Sequence, residues 1–149
     1  MLLREVSIGC DDAKWLIRLL DQELSAQYAA EHMHSVDLTS FEQSGGVFVI
    51  AYDANSPVAC GALRPLNQKQ VELKRMFVIA SHRGRGVSRD VLGHLESRAR
   101  AIGYDQLLLE TGDQQDAAIG LYQSAGYHRI EPFGEYIGSP HSICFSKTL

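Results

Sequence analysis

Val71-Glu72-Leu73-Lys74-Arg75-Met76-Phe77-Val78, followed after three residues by His82-Arg83-Gly84-Arg85-Gly86-Val87-Ser88, decides how the chain folds. The first segment reads as a strand, and the second as a glycine-rich turn that opens a helix. From Val87 onward, Val91, Leu92, Leu95, Ala99 and Ile102 recur at helical spacing, and Gly103 stands where a left-handed cap ends a helix. Five of the 14 Lys and Arg residues lie between Lys74 and Arg89 with no acid among them, although the chain carries a net charge of -4. A local cluster of cations at a helix N-terminus suits a small polyanionic ligand.

At 149 residues, 45% of them apolar, the chain fits a single domain spanning 1–149. Nucleic acid is not an expected partner, because phosphate-backbone binding needs a broad basic face and the balance here is acidic. The N-terminus reaches Arg4 too soon for a signal-peptide core, and no run approaches membrane-spanning length. No membrane partner is expected, and the location is cytoplasmic. Cys10, Cys60 and Cys144 are too few for a disulfide framework, and none has a Cys or His neighbour at metal-ligand spacing. Reduced thiols and no metal are the expectation.

Leu3 to Ile8 reads as a strand, and Asp11 or Asp12 as the cap of a helix whose inner face is Ala13, Leu16, Ile17, Leu20 and Leu24. Tyr28 to Ser44 is polar with poor periodicity, which predicts short helical pieces or a mobile flap. Val47 to Tyr52, a turn at Asp53 to Pro57, and Val58 to Leu63 make a hairpin; a second turn leads into the strand Val71 to Ile79. Leu107-Leu108-Leu109 suits a central strand covered on both faces. A helix from Gln115 to Ser124 ends at Gly126, and Tyr127 to Phe133 and His141 to Lys147 are late strands. The fold class is α/β in one piece.

Three glycine-rich solutions compete for the anion. A nucleotide-hydrolase phosphate loop ends Gly-Lys-Ser/Thr, whereas Gly86 is followed by Val87 and Ser88. A dinucleotide fingerprint starting at Gly84 requires glycine at position 89, which is Arg89. Arg83-x-x-Gly86-x-Ser88, after a strand carrying Glu72 and ending Met76-Phe77-Val78, resembles the acetyl-CoA signature Gln/Arg-x-x-Gly-x-Gly/Ala of the GNAT superfamily of N-acetyltransferases, with Ser88 at the last small position. Downstream, Ala118-Ile119-Gly120-Leu121-Tyr122-Gln123-Ser124-Ala125-Gly126-Tyr127 resembles the family's A-x-x-L-Y-x-x-x-G-F/Y segment. Leu109-Glu110-Thr111-Gly112 and Glu131-Pro132-Phe133-Gly134-Glu135-Tyr136 resemble a bacterial subgroup of small-molecule acetyltransferases. The resemblance implies a mixed, largely antiparallel sheet splayed between strands 4 and 5 and flanked by helices. It also implies acetyl-CoA as cosubstrate in the split, and a homodimer is one expectation because related proteins often pair.

The resemblance assigns roles as well. Met76, Phe77 and Val78 would pair with pantetheine through their main chain, and amides along Arg83, Gly84, Arg85, Gly86, Val87 and Ser88 would hold the pyrophosphate. Gln115 stands where the family usually has a cofactor-contacting asparagine. An amine with a pKa of about 10.4 is protonated at neutral pH, so transfer requires a base. Glu72 occupies the strand position where many relatives carry it, acting directly or through water; the alternative is a sheet-surface glutamate paired with Lys74 or Arg75. Tyr122 is the candidate acid for the departing thiolate, or else a core tyrosine. His32, His34, Phe133 and Tyr136 are candidates for the acceptor side. The implied activity is acetyl-CoA-dependent transfer to an amine of a small molecule or peptide, directly within a ternary complex. A non-catalytic acyl-CoA-binding sensor or interaction module on the same fold would keep the phosphate cradle but need neither Glu72 nor Tyr122.

Overall fold

The computed structural model describes residues 1–33 and 36–149. Seven strands form one sheet: β1 (Leu2–Val6), β2 (Val47–Asp53), β3 (Ser56–Pro65), β4 (Gln70–Val78), β5 (Gln106–Gly112), β6 (His128–Ile130) and β7 (Ser142–Thr148). Their spatial order is β1-β2-β3-β4-β5-β7-β6, and all neighbours are antiparallel except β4 and β5. The helices are α1 (Asp11–Ser25), α2 (Leu38–Gln43), α3 (Val87–Ile102) and α4 (Asp116–Ser124). Single 3-10 turns occupy Ala30–His32, Ala80–His82 and Gly134–Tyr136.

The two-residue period of a strand divides β2 between two cores. Phe48 and Ile50 pack with Ala13, Leu16 and Leu20 of α1, while Val49 and Ala51 pack with Val91, Leu92 and Leu95 of α3. Each fully buried leucine among these is worth about 1.5–3 kcal/mol, so both helices are fixed to the sheet along its middle strands. The helix start at α1 differs from expectation: Cys10 is the cap residue, and Asp11 and Asp12 fall inside the first turn. There they complement the positive helix end, and Asp12 also accepts the Tyr52 hydroxyl at 2.7 Å.

The parallel pairing of β4 with β5 stops at Leu73 and Leu109, although β4 runs on to Val78 and β5 to Gly112. A bulge accompanies the parting. Arg75 and Met76 stand opposite the single residue Gly61, and Arg75 takes a left-handed φ of 59°. Gly61 lets the side chains close in over the bulge: a Cβ there would lie 2.6 Å from Met76 Sδ and 2.8 Å from Leu95 Cδ1, so both would have to shift. The strand expected over Tyr127 to Phe133 contracts to His128–Ile130. Pro132 has no amide proton to continue the ladder, and the chain leaves the sheet edge there.

Candidate active site

The turn between β4 and α3 is built for exposed main-chain donors. Gly84 and Gly86 have φ of 75° and 79°, a conformation that other residues adopt only with strain, and Gly86 caps α3 without any side-chain hydrogen bond. Asp90 is the first residue whose amide finds a helical acceptor, Gly86 O at 3.1 Å. The amides of Gly84, Arg85, Gly86, Val87, Ser88 and Arg89 reach no acceptor among the described residues. These orphan donors and the positive end of a 16-residue helix make a fitting cradle for a diphosphate.

The side chains around the cradle behave differently from one another. Arg83 is a strut: its Nε donates to Val78 O at 2.8 Å, its Nη2 to Glu23 at 2.6 Å, and its guanidinium lies 5.5 Å from the Phe77 ring centre. Arg85 does not line the cleft, and Arg89 ties α3 to α4 through Ser124 Oγ at 2.8 Å.

From the cradle a cleft of about 370 Å³ follows the split between β4 and β5. Met76, Phe77 and Val78 form one wall, with main-chain edges that lack a β5 partner beyond Leu73. Tyr122 lines the other wall from α4; its side chain is wedged against Tyr127 and Phe145, and its hydroxyl makes no hydrogen bond among the described residues. Burial, and then the nearby charge of Glu110, push the Tyr122 pKa above the ordinary phenol value, so it keeps its proton at neutral pH.

Glu72 lies elsewhere. It is wholly buried, accepts Arg64 Nε and Nη2 on one oxygen at 3.1 and 2.6 Å, and takes the Tyr136 hydroxyl on the other at 2.5 Å. It does not line the cleft, so the fold does not bring it together with Tyr122 there. Two carboxylates share the cleft with Tyr122: Glu23, which is paired with Arg83, and Glu110 on β5, which accepts the Ser142 hydroxyl at 2.5 Å. The sequence displays Glu110 as the one acid ending an apolar strand. Its relation to the split becomes visible only with the β4–β5 register.

The far end of the cleft is closed by the segment after α1. His32 lines it and meets His141 edge-on at 5.1 Å, and His141 Nδ1 lies 3.0 Å from Asp113 Oδ2. The Tyr28 hydroxyl accepts the Gln114 amide at 2.9 Å and lies so close over β5 that a Cβ at Gly112 would come within 2.1 Å of it. Gln115 lines the cleft while donating to Gln27. His34 lies outside the described residues. Tyr136 lines the cleft and accepts Lys74 Nζ at 2.8 Å, whereas Phe133 only buttresses the Tyr136 ring, 5.2 Å away. His141, Lys74, Ser142 and Glu110 are lining residues to which the sequence reading gave no role. Among the described residues, no cluster of three or more His, Cys, Asp or Glu could hold a metal ion, and no helix is long and apolar enough to cross a membrane.

Comparison with known proteins identifies the family and the fold. The model of the Acetyltransferase (GNAT) family matches residues 16–127. An IAA acetyltransferase from Azospirillum brasilense is 38% identical over 90% of this chain and 88% of its own. A solved Klebsiella pneumoniae structure assigned to the acyl-CoA N-acyltransferases superposes with a TM-score of 0.85 at 26% identity, covering 99% of this chain and 97% of that one. A GNAT acetyltransferase from Elizabethkingia anophelis, solved with acetyl-CoA bound, shares the fold at a TM-score of 0.74 and 20% identity, over 99% of this chain and 97% of its own. The chain belongs to the GNAT family and is an N-acetyltransferase.

Proposed function

We propose that the enzyme transfers an acetyl group from acetyl-CoA to an amine of a small molecule or peptide, directly within a ternary complex. The carrying observation is one continuous cleft with orphan main-chain donors at one end and Tyr122 with Glu110 farther along. The donors of Gly84 to Ser88 would hold the diphosphate, and the free edges of Met76, Phe77 and Val78 would take the pantetheine arm, with Gln115 alongside. Bound there, the cosubstrate supplies an activated acetyl thioester. None of Cys10, Cys60 and Cys144 lines the cleft, which supports direct transfer rather than a cysteine-bound acetyl intermediate.

Glu110 takes the proton that the attacking amine must lose, since of the two carboxylates lining the cleft with Tyr122 the other, Glu23, is paired with Arg83. Tyr122, protonated at neutral pH, donates its hydrogen bond and finally a proton to the departing sulfur, and is reprotonated from water. A base role for Glu72 requires a relay through Tyr136, whose hydroxyl separates it from the cleft. Glu72 therefore serves to hold Arg64, Lys74 and Tyr136 in position.

The test is acetyl-CoA-dependent thiol release across a panel of amines, amino acids and peptides, together with thermal melting in acetyl-CoA. Release with at least one acceptor, and a stabilisation of about 2.7 kcal/mol at a cofactor concentration 100 times Kd, are expected. Stabilisation without release from any acceptor would indicate a cofactor sensor, and neither effect at millimolar acetyl-CoA would reject cofactor binding altogether.

A further inference from the structure

The bulge of β4 holds a guanidinium that the transfer chemistry does not use. Arg75 has a φ of 59°, in the left-handed region that a non-glycine residue keeps only where its surroundings enforce it. Its side chain is 6% exposed and it lines the cleft. Nη1 donates to Asp21 Oδ1 on α1 at 2.8 Å, while Nε is buried with no hydrogen-bond partner among the described residues. Nη2 makes no hydrogen bond among the described residues either. Nε and Nη2 form the side-on fork of an arginine, whose two parallel donors match a carboxylate. A buried charged donor left empty in a folded protein calls for an explanation, and an acceptor delivered by a ligand is one.

The surrounding groups agree. Lys74, the preceding residue, also lines the cleft, but Glu135 at 3.4 Å and Glu72 at 3.8 Å balance its charge. Of the two carboxylates lining the cleft, Glu23 is engaged with Arg83, and Glu110 stands on the opposite strand, where it accepts the Ser142 hydroxyl. The β4 wall therefore offers the unfilled edge of Arg75, and the β5 wall carries a carboxylate. A molecule bearing only an amine would satisfy one wall. One bearing an amine and a carboxylate would satisfy both.

We infer that the acceptor is a small amino-carboxylate, its carboxylate held by the Nε and Nη2 edge of Arg75 and its amine directed to Glu110. The inference rests on the transfer reading above and adds the acceptor class to it. The experiment measures kcat/KM by thiol release for alanine, phenylalanine, lysine and γ-aminobutyrate, each beside its amide and its decarboxylated amine. In the wild-type enzyme the preferred amino acid exceeds both analogues about 100-fold or more, because removing the carboxylate leaves the guanidinium fork empty. In Arg75→Gln that ratio collapses toward one, mainly through KM. Arg75→Lys, which keeps the charge and loses the fork, recovers part of it. Analogues turned over as well as the amino acids by the wild-type enzyme would overturn the inference and leave the transfer reading standing; so would a ratio that survives in a folded Arg75→Gln. The wild-type ratio decides the matter even where Arg75→Gln does not fold. No turnover with either class would overturn the inference, and the transfer reading would then be decided by the wider panel of amines and peptides.

Discussion

The two halves of the cleft are constructed differently. The proposed cofactor half draws on the stretch from Met76 to Ser88, with Gln115 alongside, and it presents mostly main chain: strand edges past the β4–β5 pairing, then the amides of the α3 N-terminus. The proposed acceptor half is assembled from β4, β5, the segment after α1 and the connection into β7, and it presents side chains such as Arg75, Glu110, His32 and Tyr136. A ligand common to a family can be gripped by backbone geometry, which tolerates sequence change as long as the glycines remain. A ligand particular to one enzyme has to be recognised by side chains, and those can be exchanged one at a time.

The largest expected effect falls in the acceptor half. Glu110→Gln should lower kcat about 10²- to 10⁴-fold with cofactor affinity retained, measured by thiol release and calorimetry. Should Glu110→Gln remain active while a folded Glu72→Gln loses turnover, the base belongs on β4. Glu72→Gln is expected to act on stability first. It removes the buried partner of Arg64, but Arg64 is 31% exposed and keeps Glu135 at 3.6 Å, so the cost in urea unfolding should be about 1–3 kcal/mol. Tyr122→Phe should reduce kcat about 10²-fold, more than it changes the acetyl-CoA Kd; unchanged turnover would take Tyr122 out of the reaction.

The cofactor half should respond in binding instead. Gly86→Val forces a β-branched residue to φ 79° and is expected to weaken acetyl-CoA about 10-fold through the strain of that turn, read as Kd. The smallest effect lies where the halves meet. Cys60 Sγ donates to the Arg75 carbonyl at 3.2 Å, and burial pushes its thiol from 9.0 up to about 12. The folded state then holds a proton that the unfolded state gives up. The contribution is intact below pH 9 and is lost as pH rises from 9 toward 12, at no more than about 1.4 kcal/mol per unit. Urea midpoints at pH 8 and pH 10 should separate less in Cys60→Ala than in the wild type.

The same contrast explains how much could be read in advance. The strand, glycine turn and helix around Gly84 and Gly86 are local, so periodicity and turn chemistry disclosed them, whereas the split sheet and the wall formed by Met76 to Val78 were expected from the family resemblance. Glu72 had the right residue type on the right strand, but its surroundings depend on Arg64 and Tyr136, which are distant in sequence and adjacent only after folding. Glu110 was visible only as an acid at the end of an apolar strand, since its place beside Tyr122 follows from where β4 and β5 part. Arg75 was one member of a basic cluster, and its left-handed φ comes from a bulge opposite Gly61 that no spacing rule marks. Arg83 matched the motif, yet its guanidinium is engaged with Glu23 of α1.

The most direct test of the central claim is an amide-resolved NMR titration of the wild-type protein with acetyl-CoA. The prediction is saturable binding in which the backbone amides of Gly84, Arg85, Gly86, Val87 and Ser88 show the largest shifts, because they are the donors that close on the diphosphate. Saturation that leaves those five signals in place, or no saturation at millimolar acetyl-CoA, would contradict it.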